Sequence, residues 1–437
     1  MARLPREPVF MQPLVIPLSA PEAADAARFG PKAANLAALG QAGLPIPDGI
    51  CLAADAYRMQ IAALGLDETA REVFSSDDGQ ARRSALRLRM QLMEQPVVEE
   101  LQEPLIAAWR SVTRNGTVPG VVRSSALVED RFGSSFAGQF ESFLGLENEI
   151  DFFTAVRSCW AALWAPRALR YMATHGLDPA DTAMALLMQP LVAARAAGGG
   201  LSQTAEGEML INATPGLGSA IAQGEVAPDR YELGRDGGLR DSQAGMKYHQ
   251  ATCAHLSRPG RSRPKATVCL TPAQAEELGR YLIQAEAVMG RPVEIEWALD
   301  DGGIKLLQSR PLHLDEQPAQ VPDQIWLRQP RLRGQPAGVG WGTGRACVVN
   351  CECEISRVGP GDVLVTRMAG PALGRVLATV SGVVSELGGS TSHLASLARE
   401  RCVPMVLGVP GATLQIPEGV QVAVDGVAGI VRWMANR

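Results

Sequence analysis

The chain is short of several residue types that announce common functions. Its eight cysteines are spread over 437 residues, too thinly for a disulfide scaffold. Cys351 and Cys353 form a C-x-C, but no matching pair at zinc-like spacing lies nearby. The alternation in CVVNCECEI reads instead as a strand. Net charge is −5, which argues against a nucleic-acid surface. No uninterrupted apolar stretch is long enough to span a bilayer. The opening MARLPREPVF lacks the apolar core and cleavage pattern of a signal peptide. No nucleic acid, no membrane and a cytoplasmic location are therefore the expectations. Lysine is rare: of 41 Lys and Arg residues only Lys32, Lys247, Lys265 and Lys305 are lysines. Histidine is rare too, with five in the chain.

What is present reads as an α/β protein larger than one core usually supports. FGPKAANLAALGQAGLPIPDG reads as a glycine turn, a helix over 33–42 and a stop at Gly43 and Pro45. Helical pattern continues to about Arg110, and VPGVVRSS reads as a strand entering a loop. RFGSSFAGQ is a polar glycine loop, and 148–176 has helical periodicity. TAMALLMQPLVAA reads as a strand, and the glycine-rich stretch after it as short strands with a helix near 217–223. PAQAEELGRYLIQAEAVMG is the clearest helix, and RPVEIEWALDDGGIKLLQSRP reads as a hairpin of 293–299 and 304–308. A proline-rich linker is expected at 313–334, followed by a strand-rich domain over 335–437.

Several constellations carry chemistry. Lys32, entering a helix after Gly30-Pro31, is placed to meet a phosphoryl oxygen beside helix-terminal N–H groups; an ordinary surface lysine is the plain alternative. Arg123, in VVRSS, suits bidentate phosphate binding, or a structural pair with Glu129 or Asp130. Glu294 and Glu296 share a strand face by period two, as do Gln308 and Arg310 across the turn. A carboxylate and an amide oxygen suit Mg²⁺; a solvated hairpin face is the bland reading. The glycines of GLGSAIAQGEVAPDR admit a nucleotide or merely make turns.

The stretch GGSTSHLASLARE places His393 at the expected start of a helix running to about Arg399. Free N–H groups there favour an anion, oppose positive charge on the imidazole and keep it nucleophilic. A packing histidine is the competing reading. A metal site is disfavoured, because the nearest other histidine in sequence is His313 and no ligand spacing surrounds His393.

FGPKAANLAALGQAGLPIPDGI, VVRSSALVEDRFGSSFAGQFESFLGL, WAALWAPRALRYM, PGLGSAIAQGEVAPDRY and VEIEWAL with LLQSRP occur in a fixed order over most of 29–312. Together they resemble the nucleotide-binding domain of the phosphoenolpyruvate synthase and pyruvate phosphate dikinase family. GGSTSHLASLARE, GDVLVTRMAGPAL and VAVDGVAGIV resemble its swivelling phosphohistidine domain. The resemblance implies an ATP-grasp fold over 1–312, with two subdomains split near 190–200, and a β/β/α histidine domain over 335–437. It implies ATP and Mg²⁺ as cofactors. Lys32 and Arg123 would contact phosphates, Gln189 the adenine side, and Glu296 and Gln308 the metal, with Arg310 beside them. His393 would carry the phosphoryl group, supported by Thr391 and Ser392; Glu386 and Arg399 match family positions.

The departures are as specific. Ser219 stands where the family has glutamate after GLG, and GGGLSQTAEGE replaces a longer apolar run. Arg375 and Arg401 stand where the family often has less charged residues. The family's pyruvate-binding barrel has no counterpart in the sequence. Nor does the antibiotic-binding domain of the rifampin phosphotransferases, which the chain also resembles. The expected activity is transfer of the ATP β-phosphoryl group to His393, with AMP and phosphate released, then delivery to a small-molecule acceptor. A phosphotransfer subunit serving a separate acceptor protein and an ATP-driven condensation or ligation enzyme are the alternatives, with a non-catalytic regulatory remnant behind them.

Overall fold

Three sheets organise the chain in a computed structural model that describes residues 13–129, 140, 142–178, 180, 182–245, 268–313 and 324–434. Asp130, residues 131–139 where a polar loop is expected, Lys247, Lys265 and residues 314–323 of the expected linker lie outside the described residues. Two compact units emerge, one from segments 1–37, 48–128 and 140–191, the other from 38–47, 129–139 and 192–437. The architecture is multidomain α/β.

The first unit holds β1 (Val15–Pro17), β2 (Ile50–Leu52), β3 (Gly120–Ala126), β4 (Ser142–Leu146) and β5 (Met184–Pro190), in the order β1-β2-β5-β3-β4. MALLMQ is buried residue after residue because β5 lies between β2 and β3 and helices of the same unit pack against it. Helix α1 (Ala26–Gln41) begins earlier than the sequence pattern predicts and is kinked at Gly30 (φ 72°, ψ 160°). Helices α2 (Ala54–Ala63), α3 (Asp67–Ser75), α4 (Asp78–Glu94) and α5 (Glu99–Val112) follow, then α6 (Glu149–Ala162) and α7 (Pro166–Thr174). The Trp109 and Phe152 rings stack at 4.7 Å, joining α5 to α6.

In the second unit β6 (Ala196–Leu201), β7 (Met209–Pro215), β8 (Asp229–Leu233), β9 (Leu239–Gln243), β10 (Val293–Asp300) and β11 (Gly303–Pro311) form one sheet, ordered β11-β10-β6-β7-β8-β9. A short α8 (Ser219–Ala222) precedes β8, and α9 (Pro272–Met289) covers one sheet face. Thr271 and Gln274 form a capping box at its start, and Gly290 ends it in the left-handed region. Leu278, Leu282 and Ala285 of α9 pack on Ile211, Ile295 and Trp297. The opposite face carries the polar residues considered below. Buried Asp229 accepts from the backbone N–H of Gly245 (2.8 Å) and of Cys269 (2.7 Å), holding two chain points far apart in sequence on one carboxylate. Asp229→Ala leaves both donors without that acceptor and should cost about 2 kcal/mol, read in a urea melt.

Residues 324–434 contribute α10 (Gln324–Leu327) and an eight-stranded sheet. Its strands are β12 (Arg331–Arg333), β13 (Gln335–Pro336), β14 (Trp341–Val349), β15 (Val363–Thr366), β16 (Gly382–Ser385), β17 (Met405–Leu407), β18 (Gln421–Asp425) and β19 (Ile430–Trp433). Strands β14 to β17 are parallel neighbours, hence the valine-rich runs buried on both faces. Helix α11 (His393–Glu400) joins β16 to β17, and α12 (Ala412–Gln415) follows β17. The strand expected through CVVNCECEI stops at Val349. Cys351 instead caps a 3-10 helix over Glu352–Arg357, its sulfur accepting from Cys353 N–H at 3.4 Å; a local cap outcompeted the two-residue alternation. Among the described residues no helix is long and apolar enough to cross a membrane.

Candidate active site

Gly30 explains how the lysine turn meets the arginine strand. A side chain there would put its Cβ 2.2 Å from Ser125 O and 2.4 Å from Ser125 Oγ, and φ is +72°. Only glycine allows this approach. Ala33 N–H then donates to Ser125 Oγ at 3.2 Å. Lys32 lies two residues beyond Gly30, and Arg123 two before Ser125, on the same face of β3. Gln189 joins that face from β5, where it pairs in register with Val121. It is buried, and its Nε2 reaches Asp48 O at 3.5 Å. The first unit thus gathers Lys32, Arg123 and Gln189 around one sheet.

In the second unit, register aligns two rows across the face of the sheet opposite α9. Gln308, Glu296, Gly199, Asn212 and Arg230 are successive cross-strand partners. Arg310, Glu294, Leu201 and Leu210 form the parallel row two residues along. Glu296 and Gln308 are half-buried neighbours, about 5 Å apart at the backbone by ordinary strand spacing. Among the described residues no cluster of three or more His, Cys, Asp or Glu side chains forms a metal cage. One carboxylate and one amide oxygen fit Mg²⁺ of the kind that takes its remaining ligands from phosphates and water. Ser219 opens α8, and no carboxylate follows GLG there.

The histidine segment sits on these rows. Helix α11 begins at His393, with Ser392 as its cap: the Ser392 hydroxyl accepts from Ala395 N–H at 3.3 Å. His393 is half-buried, Ser392 fully buried. Thr391 packs over Gly199, where an added Cβ would fall 2.5 Å from Thr391 Cβ. The Thr391 hydroxyl donates to Asn212 Oδ1 at 3.4 Å. Gly388 N–H donates to Val226 O at 2.9 Å, and Ser390 Oγ to Pro336 O at 2.7 Å. Thr391 is therefore directly above the strand that neighbours Glu296. Asn212 and Gly199 escaped the sequence reading; a glycine triplet inside a strand was the available signal.

The remaining polar residues fall into place around this seat. Arg399 Nη2 donates to Glu294 Oε2 at 2.9 Å, and Arg310 Nη2 to Glu294 Oε1 at 3.1 Å. The Ser396 hydroxyl donates to Glu294 Oε2 (3.0 Å) and accepts from Arg310 (2.6 Å). Burial alone would raise the Glu294 pKa, but the Arg310 and Arg399 guanidiniums and their hydrogen bonds hold it below the ordinary carboxylate value. Burial lowers the pKa of His313 nearby. Glu386 Oε1 accepts from Thr413 N–H at 3.0 Å and so fixes the start of α12. Arg375 is exposed, and Arg401 donates to Gly374 O at 3.3 Å, bracing its own domain.

Comparison with known proteins matches residues 26–326 to the family model "Pyruvate phosphate dikinase, AMP/ATP-binding domain" and residues 358–429 to "PEP-utilising enzyme, mobile domain". The chain is similar to the phosphoenolpyruvate synthase of Aeropyrum pernix, 30% identical over 92% of this chain and 56% of that one. It is similar to the enzyme of Pyrococcus furiosus, 29% identical over 93% and 57%. A probable phosphoenolpyruvate synthase of Methanothermobacter thermautotrophicus is 30% identical over 92% and 61%. The chain spans a little over half the length of these relatives.

Proposed function

The chain belongs to the pyruvate phosphate dikinase and phosphoenolpyruvate synthase family, and from that premise we propose that it is an ATP-dependent phosphotransferase with His393 as its phosphoryl carrier. The observation that supports this most is the seat of Thr391 over Gly199, beside Glu296 and two residues before His393. In this reading residues 1–312 form an ATP-grasp module, 313–334 a linker and 335–437 the mobile histidine domain. Lys32 and Arg123 hold ATP phosphates, and Gln189 lies on the adenine side. Glu296 and Gln308 hold Mg²⁺, which would neutralise phosphate charge when bound.

An imidazole nitrogen bonds to the β-phosphorus as the bridge to the α-phosphate breaks, and AMP leaves. Water takes the γ-phosphoryl group, releasing phosphate. The helix start at His393 offers backbone donors to the new phosphoryl oxygens, and Thr391 and Ser392 hold the turn. Arg310 organises the helix through Ser396 in the described pose. The phosphoryl group then passes to a small-molecule acceptor.

Positional labelling tests the reading. With β-labelled ATP the protein should acquire acid-labile label; with γ-labelled ATP the label should end as free phosphate. Stable γ-label on the protein, or no label from either nucleotide, refutes it.

A further inference from the structure

Glu294 pairs with Glu296 in the sequence pattern, yet the proposed chemistry uses only the second. We infer that Glu294 is a positioning residue that seats the histidine helix on the six-stranded sheet. The inference rests on the reading of His393 as the carrier.

Three observations converge on it. The Glu294, Arg310 and Arg399 side chains are 6%, 10% and 5% exposed, so the contact is dry and specific. Arg399 and Ser396 both belong to α11, one turn or two beyond His393, and both bond to Glu294. Glu294 in turn lies two residues from Glu296 on one strand face. A single carboxylate thus fixes the height and rotation of the histidine helix over the proposed metal ligands.

The network is also built to come apart. Arg399 Nη1 donates to Ser390 O (2.6 Å) and Ala337 O (3.2 Å), carbonyls of its own domain. Glu294 keeps Arg310, its cross-strand partner. Withdrawing α11 breaks Arg399–Glu294, Ser396–Glu294 and Arg310–Ser396, while both charged groups facing the break retain partners. An uncompensated buried charge, the usual obstacle to separating such a pair, does not arise. Glu294 therefore acts on the transfer step and not on nucleotide affinity.

Single-turnover labelling with β-labelled ATP tests this on the full chain, in wild type, Glu294→Gln, Glu294→Asp and Ser396→Ala. Displacing the helix by an ångström should slow labelling of His393 about 100-fold in Glu294→Gln at saturating ATP. ATP affinity by calorimetry should stay within about twofold, the mark of an interaction used only in the transfer step. Amide exchange in peptides covering 196–201 and 388–400 should quicken. Glu294→Asp should recover part of the rate, and Ser396→Ala should be slowed but not additively with Glu294→Gln. Labelling of Glu294→Gln at the wild-type rate overturns the inference. So does a loss of ATP affinity in step with the rate, which would make Glu294 a nucleotide residue. If Glu294→Gln fails to fold, wild-type labelling by Ser396→Ala overturns it alone. An unlabelled wild type sinks the carrier reading instead; protection of 388–400 that Glu294→Gln removes would still uphold the seat.

Discussion

Alanine at His393 is expected to reduce β-labelling of the protein to background while leaving ATP binding and thermal stability intact. The separation follows from where the ring sits. His393 is half-buried at the first position of α11, so its removal leaves no large cavity. Alanine is the best helix former, and the Ser392 cap to Ala395 is untouched. Stability should move by no more than about 0.5 kcal/mol, as for ordinary partly exposed positions. Lys32, Arg123 and Gln189, the residues proposed to contact the nucleotide, belong to the other unit. Three measurements suffice: acid-labile label, calorimetric ATP affinity and melting temperature. Residual label at the wild-type level would move the carrier to another residue.

Gly199→Ala is expected to slow the same labelling about 100-fold without touching any reactive group. The added Cβ would lie 2.5 Å from Thr391 Cβ, 2.7 Å from Oγ1 and 2.8 Å from Cγ2. These are the root atoms of a β-branched side chain and cannot swing aside. Relief requires the 388–393 turn to lift by about an ångström, enough to cost about 100-fold in a positioned transfer. The three nearest atoms all belong to Thr391, and Gly199 O still accepts from Trp297 Nε1 (3.2 Å), so the strain falls on the Thr391 turn and the sheet should fold. Thr391→Gly removes the opposing Cβ and should restore part of the rate in the double variant, though not in the single one. Gly199→Ala labelling at full rate would mean that the seated pose is not the one in which His393 is loaded.

The residues that drive these predictions were unequally legible. Helix 272–289, the hairpin after it and the start of α11 follow from local chemistry: a Thr-x-x-Gln cap, a turn between alternating runs, a serine before an apolar stripe. For His393, Glu296 and Gln308, residue type and spacing left a plain structural reading open; it was the resemblance of the longer motifs around them to one family that singled them out. Gly199 and Asn212 did not stand out, because their role is set by a turn from a distant part of the chain. Arg399 and Glu294, 105 positions apart, each had several local partners to choose from. The C-x-C shows the opposite error: a two-residue period that looked like a strand was spent on a helix cap.

Asp229 has a consequence of another kind. One buried carboxylate accepts from both Gly245 and Cys269, so these two points of the chain are pinned to the same side chain. Lengthening a loop whose ends are held adds about 0.6 kcal/mol of closure entropy per doubling. With Asp229 kept, lengthening the chain between these two points should therefore change stability by less than losing the Asp229 carboxylate does, which urea melts of the two variants would read.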